Sequence, residues 1–175
     1  MVMHNVFIGI GSNIGDRLHH LQGAADRLAA LEHTTIAAIS AIYLTEPIGD
    51  SEQHRFYNGV MLLETALAPE ELRQHCKIIE QELGRPEKYA RWSPRVIDLD
   101  ILLYDDICLQ TATLSIPHPE LQQRKFVLIP LLDIANPQHP KTGRSIDQLL
   151  EACKDQSVLI KTKKSVEIKK RGSSV

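Results

Sequence analysis

Apolar side chains follow two periods along this chain, and the switches between them mark out its elements. "VFIGI" (6–10) is a continuous apolar run that reads as a short strand stopping at the glycines. After Asp16, a helix-capping residue type, Leu18, Leu21, Ala25, Leu28 and Leu31 recur at spacings of three and four, the stripe of an amphipathic helix. Residues 34–46 read as extended, 47–55 ("PIGDSEQHR") as a polar loop and 56–65 ("FYNGVMLLET") as a strand. Pro69 opens a second helix with Glu70 and Glu71 in its first turn, where the helix dipole favours acids. Leu72, Cys76, Ile79 and Leu83 supply its buried stripe and Gly84 its stop. Residues 84–95 form a long loop, and "VIDLDILLY" is the next strand. Short extended pieces (107–116), an "IPHPEL" turn, an apolar segment interrupted by Pro130 and a helix opened by Ser145 follow, with a last strand within 157–168. The order β-α-β-β-α-β over residues 3–104 is that of a split βαβ unit. The fold class is therefore α+β: a ferredoxin-like core, a mainly antiparallel sheet with helices packed on it, and C-terminal additions.

The strand after the long loop breaks the apolar pattern with Asp98 and Asp100. Side chains alternate along a strand, so the two carboxylates share a face with Cα atoms roughly 6.5–7 Å apart. Ile97, Leu99, Ile101 and Leu103 then point to the other face, onto helices. Two adjacent carboxylates repel, and burial raises their pKa values unless a cation neutralises them. That cation is either a neighbouring arginine or a hard divalent ion held by oxygen ligands; spacing alone leaves both open. The preceding loop carries Arg85, Lys88, Arg91 and Arg95. Guanidinium groups bind phosphate oxygens bidentately, and a long loop can close over a substrate. A solvated basic loop is the plainer alternative, against which Trp92, the chain's one tryptophan, weighs as a large ring with something to cover.

Composition narrows the class. A chain of 175 residues, 43% hydrophobic and 24% charged with net charge −2, is that of an ordinary globular domain with no overall bias toward nucleic acid or anionic membrane. We expect one domain over 1–160 and a basic tail over 161–175, partly disordered, where six basic side chains face a single acid, Glu167. Cys76, Cys108 and Cys153 are dispersed and lack metal-ligand spacing, so free thiols in a reducing cytoplasm are expected. No segment has the pattern of a signal peptide or a membrane span.

Other candidates carry less weight singly. In "GIGSNIGD" the glycines at 9, 11 and 15 miss both the dinucleotide and the P-loop spacing, so a tight strand-to-helix turn is expected there. Phe56 and Asn58 share a strand face, a ring beside an amide that suits a flat heterocycle, although taken alone the pair reads more readily as ordinary core packing. His118 lies between prolines in a rigid turn, and Arg124 and Phe126 again set a cation close to a ring.

Taken in order, "IGIGSNIGDR", "TEPIG", "FYNGV", "LETALAPEEL", "IEQELGR", "RWSPRVIDLDILLY", "IPHPEL" and "RKFVLIPLLDIA" resemble the 6-hydroxymethyl-7,8-dihydropterin pyrophosphokinases of folate biosynthesis over roughly residues 5–150. The resemblance implies pyrophosphate transfer from ATP to the hydroxymethyl group of a reduced pterin, with AMP released and two Mg²⁺ ions required. It implies Asp98 and Asp100 as the metal-binding pair, and Arg85 and Arg95 as catalytic cations beside them. Phe56 and Phe126 match the rings that sandwich the pterin, Asn58 the residue that bonds its edge, and Thr45, Glu46 and Ile48 the main chain around it. Glu80, Arg91, Ile101, Ser115, His118 and Arg124 fall at ATP positions, and Trp92 in the loop that closes over both substrates. ATP and a reduced pterin are then the partners, with no nucleic acid and no membrane, and the chain is expected as a monomer or weak dimer.

Three positions depart from the pattern. Glu87 stands where a basic residue is common, Ser93 replaces the glycine of "RWGPR", and Gln123 replaces an acid. The rival to this reading is another Mg-dependent phosphoryl or nucleotidyl transferase on a ferredoxin-like fold, which would keep the aspartates but has no use for the Phe56–Asn58–Phe126 pocket. A non-catalytic binding module would need neither.

Overall fold

The computed structural model describes residues 1–46, 54–86, 88 and 94–169. The first strand, β1 (His4–Ser12), runs through Gly9 and Gly11 rather than stopping at them. Pairing on both sides holds those glycines extended, and the turn falls later, where Gly15 adopts φ +70°. Asp16 then caps α1 (Arg17–Ala29), its carboxylate accepting the His19 N–H at 3.2 Å. Leu21, Ala24, Ala25 and Leu28 bury the expected stripe.

The extended segment beyond α1 is two strands, β2 (Thr34–Ile39) and β3 (Tyr43–Thr45), both paired with β4 (Phe56–Thr65). At the break Ser40 continues the ladder: its N–H donates to the Val60 carbonyl and its hydroxyl accepts from the Val60 N–H, each at 2.9 Å. Helix α2 (Pro69–Glu82) has proline at its start, and Gly84 beyond its end has φ +103°. Strand β5 (Asp98–Tyr104) follows, then the hairpin of β6 (Leu109–Gln110) and β7 (Ser115–Ile116). Helices α3 (Lys125–Ile134) and α4 (Ile146–Ala152) and the short strand β8 (Leu159–Lys161) complete the fold. Among the described residues no helix is long and apolar enough to cross a membrane.

The main sheet has the order β5-β1-β4-β3-β8, with β2 also on β4 and each pairing antiparallel. With β2 and β3 taken as one interrupted strand, this is the ferredoxin-like arrangement expected from the element order. One core lies between the sheet and α1/α2, built on Val6, Ile8, Leu21, Leu28, Leu63 and Leu72. A second lies on the opposite face beneath α3 and α4, built on Phe7, Val60, Leu128, Leu131, Ile146 and Leu149.

Leu103 sits in that second core and not with Leu99 and Ile101 as strict alternation predicts. Between β1 and β5 the register runs Phe7↔Leu103, then Ile8↔Ile101, so Leu102 is an extra residue, a β-bulge. The bulge restarts the alternation beyond the aspartates. It also leaves the Leu102 carbonyl to accept the His118 N–H at 2.9 Å, which draws the "IPHPEL" turn against the strand.

The basic C-terminal stretch runs, over residues 161–169, along the molecule: β8 pairs with β3, Val166 is 7% exposed in the first core, and Glu167 and Lys169 reach α1.

Candidate active site

Strand register lays out the site's floor. Asp98 lies opposite Gly11, Gly11 opposite Asn58, and Asn58 opposite Tyr43; in the parallel row Asp100 lies opposite Gly9, and Gly9 opposite Val60. The glycines therefore separate the carboxylates from the Asn58 amide with nothing but backbone. A Cβ at Gly11 would lie 2.6 Å from Asn58 Oδ1, so any side chain there displaces the Asn58 amide. Asn58 is held from its far side, Nδ2 donating to Thr45 Oγ1 at 2.6 Å.

The two carboxylates meet different surroundings. Asp98 is neutralised by arginine: Arg85 donates to Oδ1 at 2.8 Å and Arg95 to Oδ2 at 2.9 Å. Asp100 has no hydrogen-bond or ion-pair partner among the described residues. Desolvation, then the negative charges of Asp98 and Glu80, push its carboxyl from the ordinary 3.8 up to about 7, with Lys77 and Arg124 acting in the other direction.

Glu80 and Arg85 lie deep in the protein beneath the aspartates. Glu80 is 2% exposed and Arg85 5% exposed, and neither lines the cavities described below. Arg85 donates to Glu80 Oε2 at 2.6 Å, and the same oxygen accepts the Leu99 N–H at 2.9 Å. Desolvation raises the Glu80 carboxyl, opposed first by the Arg85 charge. Glu80 is thus the counter-charge that seats Arg85 under Asp98 and fixes β5 to α2. A buried acid requires a paired cation at that depth, and Arg85 supplies it.

Two cavities of about 270 Å³ each adjoin at Asp100 and His118, which line both. The first gathers Thr45, Glu46, Phe56, Asn58 and Phe126 with Arg95, Asp98 and Arg124. The second lies between α2 and β5–β7 and takes in Ile101 and Ser115. His118 Nδ1 accepts the Glu120 N–H at 3.2 Å, which leaves the proton of the neutral ring on Nε2 as a donor. Desolvation, then repulsion from Arg124, lowers its pKa and keeps it neutral. Arg124 pairs with Glu120 and lies 5.4 Å over the Phe126 ring, a cation–π contact that orients both residues at the start of α3. Ile48, Arg91 and Trp92, and the departures Glu87 and Ser93, lie outside the described residues.

Two contributors were not read from the sequence. Asn13, 1% exposed, staples both loop ends to β1: Oδ1 accepts the Arg95 N–H at 2.7 Å, Nδ2 donates to the His54 carbonyl at 3.2 Å, and its own N–H donates to the Arg95 carbonyl at 3.0 Å. Its signal was present in "GSN", an amide directly after a strand. Lys77 lines the second cavity while its ammonium lies 3.2 Å from Glu80; as one basic residue on a helix it gave no signal.

The site is thus a cleft in an antiparallel α+β domain that sets carboxylates and arginines against aromatic walls. Residues 7–136 match the 7,8-dihydro-6-hydroxymethylpterin-pyrophosphokinase (HPPK) family. The chain is 40% identical over 152 residues to the 2-amino-4-hydroxy-6-hydroxymethyldihydropteridine pyrophosphokinase of Pseudomonas aeruginosa, covering 87% of this chain and 93% of that one. It is 42% identical to the enzyme of the same name from Aquifex aeolicus over 139 residues, 79% of this chain and 85% of the other. It also matches the Schizosaccharomyces pombe folic acid synthesis protein fol1 at 39% identity, spanning 87% of this chain and 21% of that longer protein. Among solved structures, an HPPK-DHPS crystallised with substrates superposes with TM-score 0.65 at 16% identity, over 86% of this chain and 43% of that one, a likeness of fold. The chain belongs to the HPPK family, and its activity is pyrophosphoryl transfer from ATP in folate biosynthesis.

Arg85→Ala would leave Glu80 with only the half-exposed Lys77 as a cation and remove the buried cation from both Glu80 and Asp98, costing about 3–5 kcal/mol, seen as a lower urea midpoint. Asp100 provides a pH test. Its folded-state pKa is raised, so the folded protein keeps a proton that the unfolded chain releases, and stability falls as pH rises from about 4 through about 7. In metal-free protein, Asp100→Asn is expected to melt at the same temperature as the parent near pH 4 and at a higher temperature at pH 8; thermal melts at the two pH values check this.

Proposed function

We infer that the first cavity takes the reduced pterin and the second the ATP nucleoside, with the triphosphate crossing between them at the aspartates. The observation that carries this reading is the shared seam, Asp100 and His118 lining both cavities. Phe56 and Phe126 offer the heterocycle two aromatic walls, and Asn58, fixed by Thr45, offers its edge an amide. Glu46 lines that side, and Ile48 is a pterin contact only as the resemblance implies, while Ile101, Ser115 and the His118 Nε2–H meet the nucleotide. Arg91 and Trp92 act from the loop, as the resemblance implies.

The donor set fits magnesium. Asp100 has free oxygens, and each oxygen of Asp98 accepts one guanidinium hydrogen bond among the described residues, which leaves lone pairs available. Among the described residues there is no cluster of three or more metal-ligating side chains. That is the expected arrangement for an ion usually bound by one or two carboxylates plus water and substrate phosphates. Asp98 and Asp100 would hold two Mg²⁺ ions with ATP. When bound, these ions neutralise the polyphosphate and polarise the phosphoryl group under attack.

In the reaction the pterin hydroxymethyl oxygen bonds to the β-phosphorus, the bond from that phosphorus to the α–β bridging oxygen breaks, and AMP leaves while the hydroxyl proton is lost. Arg95 and Arg124 face the cavity and balance the phosphate charge. His118 Nδ1 is already engaged by backbone, so the ring is no base toward the hydroxyl. Catalysis then rests on holding the two substrates in line.

Incubation with Mg-ATP and 6-hydroxymethyl-7,8-dihydropterin should give AMP only when the pterin is present; ADP, or AMP formed without pterin, rejects the reading. Asp98→Ala or Asp100→Ala should lower turnover by at least about a thousandfold, about 4 kcal/mol of barrier, with an unchanged circular dichroism spectrum. Gly11→Ala drives a methyl into Asn58 Oδ1 and should raise the pterin KM about tenfold, with the KM for ATP kept.

A further inference from the structure

We propose that the C-terminal segment 159–169 is a strap that positions the pterin side of the site, by turning β3 from an edge strand into an interior one. This rests on the assignment of the first cavity to the pterin. Strand β3 is three residues long, and β4 alone would hold it through three register pairs. A strand so short at a sheet edge frays. Yet it carries Thr45, the acceptor that fixes Asn58, and leads directly into Glu46 at the cavity wall.

The strap supplies β3's second ladder. Leu159 pairs with Thr45, Ile160 with Leu44 and Lys161 with Tyr43. Past the strand it is tied down at successive points. Thr162 donates to the Ile42 carbonyl from both its N–H (3.0 Å) and its hydroxyl (2.7 Å). Val166 is buried in the first core. The Gln22 side chain donates to the Glu167 carbonyl and accepts the Glu167 N–H, both at 2.9 Å. Lys169 pairs with Asp26 at 3.0 Å.

One end of the strap is thereby fixed to α1 and the other lies against Thr45. The strap thus pairs directly with Thr45, a residue lining the pterin pocket. The strap also lies outside residues 7–136, the part matched to the family, so its support belongs to the C-terminal region. β3 has another restraint, the Tyr43 hydroxyl donating to Asp133 of α3 at 2.8 Å. That bond holds the strand's first residue, whereas the strap reaches its last. Thr45 is therefore the position most exposed to loss of the strap.

The test measures both KM values and kcat, together with the melting temperature, for the full chain, for a chain ending at Ser157, and for the full-length variants Thr162→Val and Gln22→Ala. In the shortened chain the pterin KM should rise about tenfold, while the ATP KM and kcat stay within about twofold of the parent. The two point variants should move the pterin KM in the same direction by about two- to threefold. An unchanged pterin KM in a folded shortened chain overturns the proposal. So does an equal rise in both KM values, which marks general loosening. If the shortened chain fails to fold, the point variants decide, and an unmoved pterin KM in both overturns it. Asn58→Ala separates the two readings. A raised pterin KM there, with none in the strap variants, defeats the strap alone. An unchanged pterin KM in Asn58→Ala defeats the pocket assignment and the strap's role with it.

Discussion

Glu80 lies in a region water barely reaches, and an ionised carboxylate at that depth stands only if a cation and a donor meet it. Arg85 and the Leu99 N–H do so, and much of the site follows from that pairing. Because Arg85 is drawn under β5, its guanidinium also reaches Asp98. With one oxygen of Asp98 held from below, Arg95 takes the other from the cavity side. The chain Glu80–Arg85–Asp98–Arg95 joins α2, the loop and β5 through charge-assisted hydrogen bonds. Asp100, one pleat along, is left without a described partner, and its raised pKa is the electrostatic mark of that position.

The same arrangement separates charges matched inside the protein from charges left facing a cavity. A charge buried and matched within the protein has little left to offer a substrate. A charge that faces a cavity with an unmatched oxygen or N–H has much to offer. Arg85 and Glu80 are of the first kind; Asp100, Arg124 and the Nε2–H of His118 are of the second.

Sequence periodicity was sufficient wherever local rules act alone. The helix stripe after Asp16, the Pro69 start, the strand 56–65 and the shared face of Asp98 and Asp100 all follow from caps and alternation. Leu103 escaped because one bulged residue resets alternation, and nothing in "DILLY" announces a bulge. Gly9 and Gly11 looked like strand breakers because a glycine's extended conformation depends on neighbours that only the fold supplies. Arg85 reads as a loop cation because sequence records charge and not depth. The tail's lysines masked Val166, which joins the first core, and Glu167, whose partner Gln22 lies more than a hundred residues earlier in the chain.

The glycine row in β1 has a last consequence. Between Asp98 and Asn58, and between Asp100 and Val60, the floor of the cavity is peptide backbone locked by ladders on both sides. Such a floor has no rotamers to exchange, so it cannot adapt its shape to a different ring as side-chain pockets do. Whatever latitude this enzyme has toward altered heterocycles must come from its walls. The floor acts as a fixed gauge against which every ligand is measured.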